Sequence, residues 1–318
     1  MWKYILKRLL WMIVVLLGVA FMIFTITYFS PGDPAEYLLG TSATEEQIQN
    51  MRRILGIDQP YLVQLGRFLY NSFIKFDLGV SWKYTTSVSA EIFNRLPRTL
   101  GMGLAAMVLT AVLGIPLGIF AATNQGKWQD YGVISLCMLF ISLPEFWVAL
   151  MMVIAFALKL GILPVYGIGS IKNYIMPVAA MLMSGLANIA RQTRSSYLEV
   201  MRADFVTTAR AKGQKESAIA IKHVLPNALM PVVTILGGRF ALIVAGSAMI
   251  EKVFTIPGIG LYLLTGITYR DYPIIRGCAL FFAVFAAVAM LLTDLIYAWI
   301  DPRIKAQYSN AGARKRGH

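Results

Sequence analysis

Three ionisable residues, Glu145, Arg239 and Asp294, stand inside long apolar runs or at their edges, where charge is rare. At the centre of a bilayer an ionised side chain costs about 2.5–3.5 kcal/mol, so such residues usually face a bundle interior or a water-filled path. We predict that Glu145 and Arg239 line or brace a solute pathway and that Asp294 is structural. Two simpler interpretations stay open: a structural ion pair, or side chains near helix ends that reach the membrane surface.

The other residue types offer little covalent or metal chemistry. Cys137 and Cys278 lie in apolar runs and are interpreted as small buried residues, while His223 and His318 have no partner at metal-ligand spacing. The chain has no G-x-S-x-G, H-E-x-x-H or G-x-x-x-x-G-K-[ST] motif. We therefore expect no catalytic residue, no metal site and no cofactor, and we expect energy to come from a partner or an ion gradient.

The polar segment 195–226, SSYLEVMRADFVTTARAKGQKESAIAIKHVLP, carries the strongest functional signal. Gly213 ends its first helical pattern, since glycine adopts the left-handed backbone of a helix C-terminus. A second helical stretch, 215–224, follows before Pro226, which predicts a helix, a sharp turn and a helix near the membrane surface. One face of the first helix is predicted from three- and four-residue spacing: Tyr197, Met201, Phe205 and Thr208.

Two functions suit this segment. Small residues would let the first helix lie close against another protein (Ala203, Thr207, Thr208 and Ala209), and basic residues would suit an acidic rim there (Arg202, Arg210 and Lys212). The other interpretation is an interfacial basic helix that rests on anionic lipid. The residues alone favour neither.

The elements that must position these residues are membrane helices. Of 318 residues, 58% are hydrophobic and 14% are charged, against roughly 25% charged in soluble domains. A helix needs about 20 apolar residues to cross a bilayer. We predict an all-α membrane protein with six spans, at 9–29, 99–122, 132–158, 174–193, 227–249 and 277–300.

Loop charge orients these spans. With both termini cytoplasmic, four cytoplasmic segments (the N-terminus, 123–131, 191–226 and 301–318) carry 16 Lys or Arg, whereas the external loops 159–173 and 250–276 carry 5. This is the positive-inside pattern, and it also explains the net charge of +13 without nucleic-acid binding. The predicted division is 1–29 for the N-terminus and first helix, 30–97 outside, 98–300 for a five-helix core containing 195–226, and 301–318 for a cytoplasmic tail.

The segment DFVTTARAKG at 204–213, followed by Leu225 and Pro226, resembles the coupling loop of ABC importer permeases of the dipeptide/oligopeptide (and nickel) type. Thr207, Thr208 and Ala209 stand at the Glu-Ala-Ala positions of the generic motif, and His223 stands where Ile is usual. Further landmarks of that branch follow in the same order: SPGDP at 30–34, LGIDQP at 55–60, DLG at 77–79, RLPRTL at 95–100, VFTIPGIG at 253–260, RDYP at 270–273 and DPR at 301–303.

The resemblance implies the type I ABC importer permease fold and a multi-pass protein of a bacterial or archaeal inner membrane. It also implies the partners: a second homologous permease, two cytoplasmic ATP-binding subunits, an external substrate-binding protein and membrane lipid. The chain would form half of a pathway for dipeptides or oligopeptides. By the same resemblance, the ATPase-coupling residues are Asp204, Phe205, Thr208, Ala209, Arg210, Lys212, Gly213, Leu225 and Pro226.

Other functions remain to be compared with this one. The same permease type serves nickel chelates or glutathione, and external binding proteins largely set that choice. An ion-coupled secondary carrier would favour inverted repeats and intramembrane charge relays, and no repeat is evident. No motif in this sequence supports the function of an intramembrane enzyme.

Overall fold

The computed structural model describes residues 2–40 and 42–300, with side chains described for 6–40 and 42–296. The predicted tail 301–318, with the DPR landmark at 301–303, lies outside these residues. Within them the chain is helical, and its only extended pairing is one antiparallel bridge between Val80 and Ser87. This confirms the predicted all-α class.

The helices of the first half include long apolar ones and short ones between them: α1 (Trp2–Tyr28), α2 (Pro34–Leu39), α3 (Glu45–Leu55), α4 (Tyr61–Phe73), α5 (Val88–Thr123), α6 (Trp128–Ser142), α7 (Glu145–Met152), continued by a π-helix at Val153–Lys159, and α8 (Lys172–Met201). The second half continues with α9 (Asp204–Ala211), α10 (Glu216–Ile219), a π-helix at Ala220–Val224, α11 (Leu225–Ala228), α12 (Met230–Gly246), α13 (Ala248–Val253), α14 (Ile259–Thr268) and α15 (Tyr272–Ile300).

Five described helical stretches are long and apolar enough to cross a membrane: Leu6–Tyr28, Val88–Thr123, Lys172–Met201, Met230–Val253 and Tyr272–Ile296. The third predicted span, 132–158, is formed by two helices with a bend between them. Trp128–Ser142 and Glu145–Lys159 meet at 97°. Pro144 causes this break, because proline lacks an N–H and pushes the preceding residue to extended backbone, as seen at Leu143 (φ −91°, ψ 128°).

The second span also begins earlier than predicted. Helix α5 starts at Val88, eleven residues before the predicted residue 99. Its first turns are polar, and Arg95 donates to Glu91 at 2.7 Å one turn away. Such a pair stabilises a helix but lowers local hydropathy, so an apolar window does not detect it.

One compact unit comprises Met1–Pro97 and Pro257–His318. In its described part α1 packs against α15 and α4. Helix α3 begins with a reciprocal capping box between Thr44 and Gln47. Asp271, 2% exposed, accepts hydrogen bonds from Ser81 Oγ at 2.7 Å and Lys83 N at 3.1 Å. The predicted landmark at 270–273 therefore connects the segment at 81–83 to the start of α15 within this unit.

The other unit, Arg98–Ile256, is organised around α8, which contacts α6, α7, α11, α12 and α13. Asp130 on α6 is 2% exposed and accepts from Arg194 Nε and Nη2 on α8, at 2.5 and 2.6 Å. Glu251 on α13 is fully buried and accepts from Thr99 Oγ1 at 2.7 Å and Ser247 Oγ at 2.8 Å. Each buried charge thus lies among polar donors.

Glycine at position 118 allows α5 to approach α8 closely. A Cβ at Gly118 would lie 2.4 Å from Ala190 O and 2.6 Å from Thr193 Cβ, whereas a Cβ at Gly238 would meet nothing within 4 Å. Close backbone packing of this kind is typical of small residues in membrane helices.

We predict that Gly118→Ala lowers the free energy of unfolding by about 1–3 kcal/mol, the usual cost of overpacking. The matched variant Gly238→Ala should be neutral or slightly stabilising, because alanine favours a helix where space is open. Thermal unfolding of the two purified variants in one detergent measures the difference. Equal midpoints would contradict the close packing of α5 on α8.

Candidate functional site

The 195–226 loop has the predicted helix, turn and helix. Helix α8 ends at Met201, and α9 begins at Asp204 after an extended Ala203 (φ −72°, ψ 148°). Gly213 has φ +73°, and its N–H donates to Arg210 O at 2.9 Å. The left-handed glycine therefore closes α9 as predicted, and the chain continues into α10.

The predicted face of the first helix is wrong. Tyr197 and Met201 belong to α8, whereas Phe205 and Thr208 belong to α9, because the chain turns between the two helices. Phe205 is 45% exposed and Thr208 is also exposed. The inner face of α9 consists instead of the next residue on each turn, Val206 and Ala209.

Val206 is fully buried and Ala209 is 6% exposed. They pack in one cluster with residues of α5, α8 and the stretch after Gly213, namely Ala122, Tyr197, Ile219, Val224 and Ala228. Ala209, predicted among the small residues that face another protein, lies in the chain's own core. We call Phe205, Thr207, Thr208, Ala211 and Lys212, all exposed, the outer surface of the loop.

An ion pair spans the turn at Gly213. Arg210 donates to both carboxylate oxygens of Glu216, Nε at 2.7 Å and Nη2 at 3.2 Å. Arg210, predicted to face an acidic rim, thus has a partner in its own loop. This hydrogen bond lowers the pKa of Glu216 below its usual value, so the pair is present at neutral pH and is lost as the pH falls through that lowered pKa.

The remaining predicted coupling residues lie around this turn. Asp204, Lys212, Gly213 and Pro226 are exposed, and Leu225 is half-buried at the start of α11. Asp204 stands in the first turn of α9, where a negative charge is favoured by the helix dipole. Exposure therefore leaves most of the predicted set accessible to a partner.

Glu145 and Arg239 line one cavity of about 280 Å³. Glu145 opens α7 directly after the break at Leu143 and Pro144, and it accepts a hydrogen bond from Ser184 Oγ on α8. The Arg239 guanidinium on α12 lies beside Gly185 of α8, where an added Cβ would be 2.9 Å from its Nη1. The structure brings the two charges to one cavity, and no direct ion pair joins them there.

Asp294 has a different role. It forms an ion pair with Arg8 of α1, which agrees with the structural role predicted for it. The buried carboxylates of Asp130 and Glu251 were missed by the sequence analysis. The signal for both is an acidic residue at the edge of an apolar run, the same signal that identified Glu145.

Comparison with known proteins identifies the family. Residues 1–103 match the N-terminal region of the family described as binding-protein-dependent transport system membrane component, and residues 114–306 match its inner membrane component. The chain belongs to this family. It is therefore a multi-pass component of the bacterial inner membrane and a permease component of an ABC importer.

Relatives extend over almost the whole chain. A dipeptide transport system permease protein of Alkalihalophilus pseudofirmus is 35% identical over 333 residues, which cover 96% of this chain and 100% of the relative. A glutathione transport system permease protein of Salmonella paratyphi A is 37% identical over 305 residues, covering 96% and 99%. These names describe the relatives' own solutes.

The fold is similar to that of a solved importer. The MetNI methionine ABC transporter, in an inward-facing conformation, matches 66% of this chain and 96% of the compared chain with a TM-score of 0.55 at 18% identity. Likeness at this identity concerns the fold alone, and it agrees with the predicted type I permease fold.

Neighbouring residues of α9 give a test of the inner and outer faces. Val206→Ala should destabilise the loop by about 1–2 kcal/mol, because it removes buried methyl groups. Phe205→Ala should change stability by less than about 0.5 kcal/mol, since this side chain is largely exposed. Hydrogen exchange across 204–211 in the purified chain measures both. Faster exchange in Phe205→Ala than in Val206→Ala would reverse the assignment of faces.

Proposed function

We propose that this chain is one of two similar permease subunits in an ATP-driven importer of short peptides, and that the 195–226 loop couples it to the ATPase. The observation that carries the proposal is the two-faced loop. Its inner face is fixed to the helix bundle by Val206 and Ala209. Its outer surface is exposed and available to a partner.

The loop is built to transmit movement. Only Arg202 and Ala203 separate α8 from α9, so a displacement of α9 acts directly on the membrane helix. The Arg210–Glu216 pair holds α9 and α10 together across the turn. A partner that pushes on the outer surface would therefore move the packed loop as one body and shift α8 with it.

The partner is an ATP-binding subunit. The resemblance of 204–213 to the importer coupling loop supports this docking, and the sequence has no phosphate loop of its own. The exposed Lys212 beside Phe205 and Thr208 suits a cleft with an apolar floor and an acidic rim. Family membership favours two ATP-binding subunits as the source of energy over an ion-coupled carrier.

Short peptides are the proposed solutes. The dipeptide and glutathione permeases that resemble this chain over almost its full length both carry short peptides by name. An external binding protein would deliver the solute, in keeping with the family description. Nickel chelates, carried by the same permease type, are the second candidate, but no described residue group resembles a metal site.

A charge added to the outer surface tests the docking. We predict that Thr208→Arg lowers co-purification of the ATP-binding subunits at least tenfold and abolishes dipeptide uptake, because a long cation enters the interface. Thr123→Arg, at an exposed position at the start of the predicted cytoplasmic segment 123–131, is the matched control and should retain both. Pull-down from detergent extracts and radiolabelled dipeptide uptake measure the two effects.

Val206→Ala separates docking from folding in the same assay. It loosens the loop without altering the outer surface, so it should weaken coupling of ATP hydrolysis to uptake more than it weakens subunit binding. Undiminished ATPase binding by Thr208→Arg would contradict the proposed role of the loop.

A further inference from the structure

The cavity of about 280 Å³ in the unit Arg98–Ile256 has an unusual lining. Its walls come from α5, α7, α8 and α12 and are mostly apolar, with Met107, Met181 and Leu242 among them. Two opposite charges, Glu145 and Arg239, also line this apolar space. Small-molecule sites have this composition: apolar walls with a few polar groups that fix orientation.

Arg239 is the more informative of the two charges. It is half-buried in the helix bundle, yet within the described part of the chain it forms no hydrogen bond and no ion pair. A guanidinium carries five N–H donors and is costly to leave unpaired at membrane depth. Its planar fork matches a carboxylate, which it binds through two parallel hydrogen bonds.

The position of Arg239 is fixed by its neighbours. Its Nη1 lies where a side chain at Gly185 would otherwise stand, since an added Cβ there would be 2.9 Å from Nη1 and 2.7 Å from Thr110 Oγ1. The bare backbone of α8 at Gly185 thus makes room for the guanidinium. The cation is held at the cavity wall while its donors remain unsatisfied by protein.

Glu145 supplies the opposite charge at the break in the third span. Irregular backbone at membrane depth occurs only where it is buried in protein or borders a water-filled cavity, and the break at Leu143 and Pro144 meets this cavity through Glu145. Ser184 Oγ donates one hydrogen bond to the carboxylate. A carboxylate has about four acceptor sites, so Glu145 keeps capacity for a ligand's ammonium group.

We propose that this cavity is a transit site for short zwitterionic peptides, in which Arg239 binds the C-terminal carboxylate and Glu145 the N-terminal ammonium group. The inference rests on the proposed peptide transport and adds to it the groups that are recognised. Both contacts are to main-chain ends, so any peptide side chain is accepted, and the flexible thioethers of Met107 and Met181 adapt to it. The volume suits a dipeptide or one end of a longer peptide.

The competing explanation is that Arg239 and Glu145 only stabilise the helix packing by neutralising each other's charge. A double variant that removes both charges distinguishes this explanation from a ligand site. Arg239→Gln and Glu145→Gln should each lower dipeptide uptake at least tenfold while the complex with ATP-binding subunits remains intact. The double variant should be no better than either single variant. If the charges only neutralise each other, the double variant will recover uptake to within about twofold of the wild type, and the proposal is overturned. Gly238→Ala, next to Arg239 on α12, is the control with unchanged uptake.

Direct binding is measured on the purified permease–ATPase complex without the external binding protein. Alanyl-alanine should raise the thermal unfolding midpoint of the wild type, and its C-terminal amide, which lacks the carboxylate, should not. Equal stabilisation by both peptides overturns the role of Arg239. If Arg239→Gln fails to accumulate, Arg239→Lys keeps the charge without the planar fork and should show reduced protection by the free peptide.

The two proposals fail in different ways. If the wild-type complex takes up no dipeptide although its binding protein and ATP are present, the proposed peptide transport fails. If the wild type transports dipeptides and Arg239→Gln retains more than half of that uptake, only the transit site fails.

Discussion

Polar groups buried among packed helices have no water to bind, and this constraint governs each of the two units. The buried carboxylates show how the chain meets it. Asp130 receives two donors from Arg194, Glu251 receives the hydroxyls of Thr99 and Ser247, and Asp271 receives Ser81 in its own unit. Because Arg194, Thr99 and Ser81 come from distant parts of the sequence, each of these charges also connects separate segments of its own unit.

Arg239 stands out against this background. Among the described residues, the buried carboxylates accept hydrogen bonds, whereas the Arg239 guanidinium lines a cavity with Glu145 and forms no hydrogen bond or ion pair. This difference is the basis of the proposed transit site.

Sequence predicted most of the architecture because hydropathy is a local property. The apolar runs located the spans, and Gly213 located the turn of the loop. The face of α9 was predicted wrongly because the spacing from Tyr197 to Thr208 continues across Ala203, where the backbone changes direction. The pairing of Asp130 with Arg194, 64 residues apart, depends on which helices are neighbours, and no local pattern contains that information.

The attachment of α9 to the bundle through Val206 and Ala209 also has a thermodynamic meaning. A rigid connection carries free energy in both directions, and linkage requires the two directions to be equal. Under the coupling proposed above, whatever factor ATPase closure imposes on the affinity of the cavity for solute, solute in the cavity imposes on closure. If closure raises that affinity, an empty transporter closes less readily, and ATP hydrolysis without transport is limited through Val206 and Ala209.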